Sequence, residues 1–228
     1  MFATDVMKEI NALLKKQKYC SIIIPEGDKM TYYDKNALKL SHKYFLANIK
    51  SGDVVIDATA GKGRDTLLLS DLVGESGKVY AFDIQDEAIS ATKKLLADNN
   101  RENVTVIKES HHKLCDYVKK SKAVIFNFGF LPGGDHSVFS KPETSIKAIR
   151  AALSIIEDDG FVSLCIYYGG DTGFDERDAI LEFLQNLDQK KYTVMLQSFY
   201  NRRNCPIITK IFKIYTGYCR QSRFTFKY

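Results

Sequence analysis

The chain has 228 residues, 45% of them hydrophobic and 27% charged. That supports one well-buried core and argues against several large domains. Lys and Arg outnumber Asp and Glu by 33 to 28, a formal net charge of +5, which permits a nucleic-acid partner without requiring one.

Residues 5–18 place Val6, Ile10, Leu13 and Leu14 at helical spacing among lysines, a pattern that reads as neither a signal peptide nor a membrane span. "YCSIII" reads as a short strand, closed by the turn "PEGD". Residues 1–33 are expected to form a small extension that caps the sheet, helps form a homodimer or touches the substrate. A second helix is expected at about 35–49, with Leu38, Leu40, Phe45 and Leu46 as its apolar positions. The five cysteines (Cys20, Cys115, Cys165, Cys205 and Cys219) are scattered and form no CxxC pair. They read as reduced thiols of a cytoplasmic protein, with no metal site.

From Gly52 onward strands and helices alternate. "DVVIDA" reads as a strand, Arg64–Val73 as a helix, "KVYAFDI" as a strand, "DEAISATKKLLADN" as a helix and "NVTVIKE" as a strand. A short helix near 112–119 and the strand "KAVIFNF" follow, then a long Gly/Pro loop to about Pro142. Next come a helix at Glu143–Ile156, the turn "DDG", the strand "FVSLCIYY", a helix near 175–187, and strands at 192–199 and 207–214. This alternation predicts an α/β three-layer sandwich of Rossmann-like type. Its sheet is mostly parallel and seven-stranded, and the last two strands form an antiparallel hairpin. The main domain is expected over 34–216, with a basic tail at 217–228.

The stretch "DATAGKG" leaves the first strand of that domain at its carboxyl end, where open α/β sheets bind ligands. Gly61 and Gly63 allow close backbone approach, and Asp83 ends the next strand, where an acid commonly meets ribose hydroxyls. A dinucleotide enzyme fits this far. Against it, Thr66 stands where the third glycine of GxGxxG belongs, and Asp65 falls in the first helical turn, where a pyrophosphate would sit. With Asp57 also near, the pocket suits a cationic ligand without phosphate. S-adenosylmethionine (SAM) carries a sulfonium and an α-ammonium and fits that description.

"NFGFLPGGDH" (127–136) follows the fourth strand and opens on the same side of the sheet. Asn127 offers an amide donor and acceptor; Pro132, Gly133 and Gly134 make a bend before Asp135. Methyl transfer depends mostly on positioning, and for an amine acceptor Asn127 or Asp135 could orient the N–H groups and take the released proton. Ser110 and His111, at the end of the third strand, lie where an adenine would rest. Tyr167, Tyr168 or Tyr200 could stack on a base, and Arg202 and Arg203 could meet phosphate.

These segments, "DATAGKGRDT", "VYAFDIQ", "SH", "NFGFLPGGD" and the late N-x-x-N-x-P of Asn201, Asn204 and Pro206, resemble the YtqB-like family of rRNA methylase-like proteins over about residues 36–214. The resemblance implies a class I methyltransferase fold and SAM as methyl donor, with S-adenosylhomocysteine (SAH) as product. It implies cofactor contacts from Asp57, Ala60, Gly61, Gly63, Asp65, Thr66, Asp83, Ile84 and Gln85, with Ser110 and His111 nearby. Asn127, Gly129, Pro132, Gly133, Gly134 and Asp135 would lie between cofactor and acceptor. The acceptor it implies is the wobble uridine of tRNA, converted from 5-aminomethyl-2-thiouridine to the 5-methylaminomethyl form. The chain departs from the family at Lys62 and Arg64, where Asn and His are usual, at Phe128 and Phe130, and at Cys205. The alternatives are an rRNA or small-molecule methyltransferase on the same scaffold and a non-catalytic RNA-binding module.

Overall fold

Strands that are apolar on both faces must be covered on both faces. The protein, a computed structural model in which residues 36–129, 141–168, 173–199, 201–202 and 205–214 are described, meets that demand with one seven-stranded sheet. The order along the chain is α1 (Ala37–Asn48), β1 (Val54–Asp57), α2 (Arg64–Val73), β2 (Lys78–Asp83), α3 (Asp86–Asp98) and β3 (Val104–Lys108). A single 3-10 turn (His111–Lys113) runs into α4 (Leu114–Tyr117), followed by β4 (Ser121–Phe128), α5 (Pro142–Ile155), β5 (Ile156–Ile166), α6 (Gly173–Gln185), β6 (Tyr192–Gln197) and β7 (Ile207–Lys213). The strands lie in the order β3-β2-β1-β4-β5-β7-β6. The first five are parallel, and β7 pairs antiparallel with both β5 and β6. The expected sandwich and its terminal hairpin are both present. The expected extension (1–33) and tail (217–228) lie outside the described residues.

The strand alternation sorts the core into two layers. On one face Val55, Val79, Ala123, Ile125 and Phe161 pack under Phe45 of α1, Ile49 just after it, and Leu69 and Val73 of α2. On the other, Ile56, Phe82, Val124, Phe126, Val162 and Leu164 pack under α5 (Ala148, Ile149, Ala152) and α6 (Ile180, Leu184). Phe45 is almost wholly enclosed, and burying a side chain of that size contributes roughly 1.5–3 kcal/mol. It is the main anchor of α1, whose start is capped by Asn36 Oδ1 accepting from the Leu38 N–H at 2.9 Å.

Three local expectations are revised. The buried positions of α1 are Ala37, Ser41 and Phe45, while Leu46 is 59% exposed. Helical rotation places Ser41 and Phe45, four apart, on the inner stripe and turns Leu46 outward. The "DDG" turn is absorbed into β5: Ser121 pairs with Ile156 and Ala123 with Phe161, so β5 carries extra residues opposite β4 and bulges there. Ser110 and His111 do not end a strand. β3 stops at Lys108, and His111 opens the 3-10 turn.

The parallel strands run toward one edge, and β1 sits between β2 and β4. The connection from β1 goes to one side and β4 lies on the other, so the carboxyl ends of β1 and β4 frame a crevice at the switch point.

A position far from that crevice offers a test of packing alone. A Cβ at Gly77 would stand 2.6 Å from the Val73 carbonyl oxygen and 2.7 Å from that of Asp53, backbone atoms that cannot swing away. Gly77→Ala is expected to cost roughly 1–3 kcal/mol, read as a lower urea midpoint with unchanged slope, while ligand affinity of the folded fraction stays at the wild-type value.

Candidate functional site

The crevice is built by the turn between β1 and α2. The turn is pinned at three points: Ala60 N–H donates to the Phe82 carbonyl at 2.9 Å, Gly63 N–H donates to the Ala60 carbonyl at 2.8 Å, and the Thr92 hydroxyl donates to the Gly61 carbonyl at 3.0 Å. Gly63 has φ of 78° and is the residue before the first turn of α2. A Cβ there would lie 2.9 Å from Thr92 Oγ1 and 3.0 Å from Thr92 Cα. Both the left-handed backbone and the contact with α3 therefore require glycine.

Asp83, at the end of β2, accepts from the Gly61 N–H at 2.9 Å and the Gln85 N–H at 3.0 Å. It fastens the turn while remaining only half-buried. Ile84 follows it with 53% of its surface exposed. A carboxylate with an apolar side chain beside it suits a ribose and the flat face of a base.

Three acids meet here in different environments. Asp57 is fully buried; it accepts from the Thr66 hydroxyl at 2.6 Å and the Thr59 N–H at 3.2 Å. Burial first, then the charge of Asp65, pushes its carboxyl up to about 7. It lies beneath the crevice, acting on it through Thr66 and through its charge. Asp65, in the first turn of α2, accepts from His42 Nε2 at 2.8 Å on one oxygen and from Asn127 Nδ2 at 2.8 Å on the other. It occupies the helix terminus where a pyrophosphate would need free N–H groups. Lys62 and Arg64 are exposed, so their charges stay at the rim.

Asn127 is on β4, its N–H donating to the Thr59 hydroxyl at 2.7 Å. Gly129 follows β4 with φ of 147°. Opposite Asn127 on β5 lies Cys165, whose thiol burial pushes up to about 12, making it a poor nucleophile at neutral pH. Ser110 Oγ bonds His112 Nδ1 at 2.7 Å. The His111 ring stands edge-on to Phe126 and Phe128 at 6.0 and 6.1 Å. Burial, then the neighbouring His112 charge, lowers His111 to about 4, and its Nε2 is buried without a partner among the described residues.

The structure thus gathers these residues at one crevice in two hydrogen-bonded groups, Asp57, Thr66, Asp65 and Asn127 in one and Gly61, Asp83 and Gln85 in the other, with Ala60 and Gly63 pinning the turn between them and Ile84 following Asp83. Tyr168 sits apart, packed with Phe174 at 5.9 Å and under the Arg177 guanidinium at 4.9 Å. Asn201 and Arg202 are exposed between β6 and β7, with Arg202 over the Phe199 ring at 4.8 Å. Pro132, Gly133, Gly134, Asp135 and Asn204 lie outside the described residues. Sequence reading missed His42, Thr59 and Thr92. For His42 the available signal was its place beside Ser41, on the stripe of α1 that faces the sheet.

Residues 79–213 match the model of the family described as "Putative rRNA methylase". A chloroplastic tRNA (mnm(5)s(2)U34)-methyltransferase of Arabidopsis thaliana is 34% identical over 78% of this chain and 70% of its own length. The crystal structure of an rRNA-methylase from Clostridium thermocellum is 48% identical, covers 78% of this chain and 98% of its own, and superposes with a TM-score of 0.77. A Streptococcus mutans methyltransferase structure in complex with SAH is 37% identical, covers 78% and 97%, and has a TM-score of 0.71.

The buried acid gives a pH test. Because its folded carboxyl is raised from 3.8 to about 7, the folded state binds the proton more tightly than the unfolded chain. Stability from this group is full below the unfolded value and falls as pH rises toward 7. Asp57→Asn keeps an acceptor for Thr66 and removes the titration. Urea unfolding of the variant is expected to lack a loss on the order of a few kcal/mol that the wild type shows between pH 4 and 7.5.

Proposed function

We propose, from the premise that the chain belongs to the family described as "Putative rRNA methylase", that this SAM-dependent methyltransferase methylates the aminomethyl nitrogen of 5-aminomethyl-2-thiouridine at the tRNA wobble position. The observation that carries this reading is the 34% identity, over 70% of its length, to the chloroplastic tRNA enzyme whose name gives the methylaminomethyl nucleoside at position 34, the product that methylation of the aminomethyl form would yield. The likeness to a structure holding SAH supports the donor. The residues fit that donor as a group. Asp83 is placed for the ribose hydroxyls, Ile84 for the adenine face, and Gly61 and Gly63 for close backbone approach. The acids favour a sulfonium and an ammonium over a phosphate.

When bound, SAM supplies an electrophilic methyl carbon: the amine lone pair forms the C–N bond, the C–S bond breaks with its electrons passing to sulfur, and the new ammonium loses a proton. The chain's share of that step is to orient the amine and give the proton an exit. Asn127, bonded to Asp65 at the crevice, is the proposed orienting group, and Asp135, in the segment that follows β4, is the proposed proton acceptor. The basic balance of the chain, with Arg177 and Arg202 stacked on aromatic rings, suits an RNA partner. Among the described residues no helix is long and apolar enough to cross a membrane.

Two measurements check this reading. Incubation with SAM and tRNA carrying the aminomethyl group is expected to convert its wobble nucleoside to the methylaminomethyl form by mass spectrometry. Transfer to ribosomal RNA alone would replace tRNA with the runner-up substrate that the family description names. Asp83→Ala is expected to weaken SAM binding about 10- to 100-fold by calorimetry, as a lost pair of charge-assisted hydrogen bonds implies; unchanged affinity would remove Asp83 from the donor site.

A further inference from the structure

The carboxylate of Asp65 has a chemical property that constrains both of its neighbours. A carboxylate only accepts hydrogen bonds. The nitrogen of Asn127, not its oxygen, must therefore face Asp65 Oδ2, and His42 must present an N–H from Nε2 to Oδ1. Both contacts are 2.8 Å, and Asp65 is buried. With Nδ2 turned to Asp65, the opposite side of the amide is Oδ1, which has no hydrogen-bond partner among the described residues.

We propose that His42 is a positioning residue for methyl transfer: it holds Asp65, and Asp65 fixes the Asn127 amide so that Oδ1 faces the acceptor. This rests on the methyltransferase reading of the crevice and deepens it by naming the residue that sets the amide toward an amine acceptor. A fixed carbonyl oxygen takes a hydrogen from a nucleophile that carries its own, and a neutral primary amine has two to offer while its lone pair stays free. A free amide would populate both faces, and the Nδ2 face would compete for that lone pair. The relay also accounts for a side-chain donor at each oxygen of a buried carboxylate. Fixed at both oxygens, Asp65 cannot turn to release the amide. His42 reaches it from α1, which Phe45 and Tyr44 hold against the sheet.

The experiment uses the full chain with SAH bound and compares wild type, His42→Leu and His42→Gln, since a glutamine amide can return an N–H to about the place of Nε2. The side-chain amide pair of Asn127 is assigned in nitrogen–proton correlation spectra by its loss in Asn127→Asp. In wild type and His42→Gln, those protons are expected to exchange slowly with solvent. In His42→Leu they are expected to exchange at the rate of an exposed asparagine. In parallel, His42→Leu is expected to lower kcat on aminomethylated tRNA about 10- to 100-fold at unchanged SAM affinity, with His42→Gln restoring most of it. Equal amide protection in all three proteins overturns the proposal. So does a common loss of protection, SAM affinity and melting temperature in both variants, which would make His42 merely a packing residue. If the wild type transfers no methyl to tRNA, the substrate reading fails by itself, and the amide exchange still decides whether His42 sets Asn127.

Discussion

Asp65 is bonded on each oxygen to a side chain from a different part of the fold, His42 from α1 and Asn127 from β4. The carboxylate is buried at the first turn of α2, and taking it out of water is costly unless its lone pairs are used. That requirement joins three elements that local interactions alone would leave unconnected. It places the Asn127 amide at the crevice, closes the helix terminus to a phosphate, and gives α1 a polar reason to lie over this end of the sheet in addition to its apolar one.

Asp57 solves the same problem in another way. Fully enclosed beside two other acids, it is held by the Thr66 hydroxyl and the Thr59 N–H, and its carboxyl is raised to about 7. Asp57 thus carries only part of a charge near pH 7, while Asp65 and Asp83 are each satisfied by donors. A crevice with three fully charged, unsatisfied carboxylates would repel itself. The observed division of roles avoids the cost of three unsatisfied charges side by side.

Most of the architecture was legible because its signals are local. Buried strands show as apolar runs, Gly63 shows as a glycine that nothing else can replace, and Asp83 shows by its distance from the turn. The bulge at the start of β5 was not legible. "DDG" is a turn sequence, and only pairing with β4 draws it into the sheet, with Ser121 opposite Ile156 and Ala123 opposite Phe161. The inner face of α1 was misread for a similar reason. Leu46 is as apolar as Phe45, yet helical rotation against β5 and β7 leaves it outside.

The amino-acid sequence by itself determined the alternation of strands and helices, the hairpin that ends the sheet, and the glycine turn flanked by acids. Each of these follows from residue type and spacing over a few positions. Tertiary structure alone decided which acid is buried and which is bridged, that His42 takes part, and which atom of Asn127 is left for the crevice. Those outcomes depend on side chains from distant segments meeting at buried carboxylates whose lone pairs need donors, and no short stretch of sequence records which donors those are.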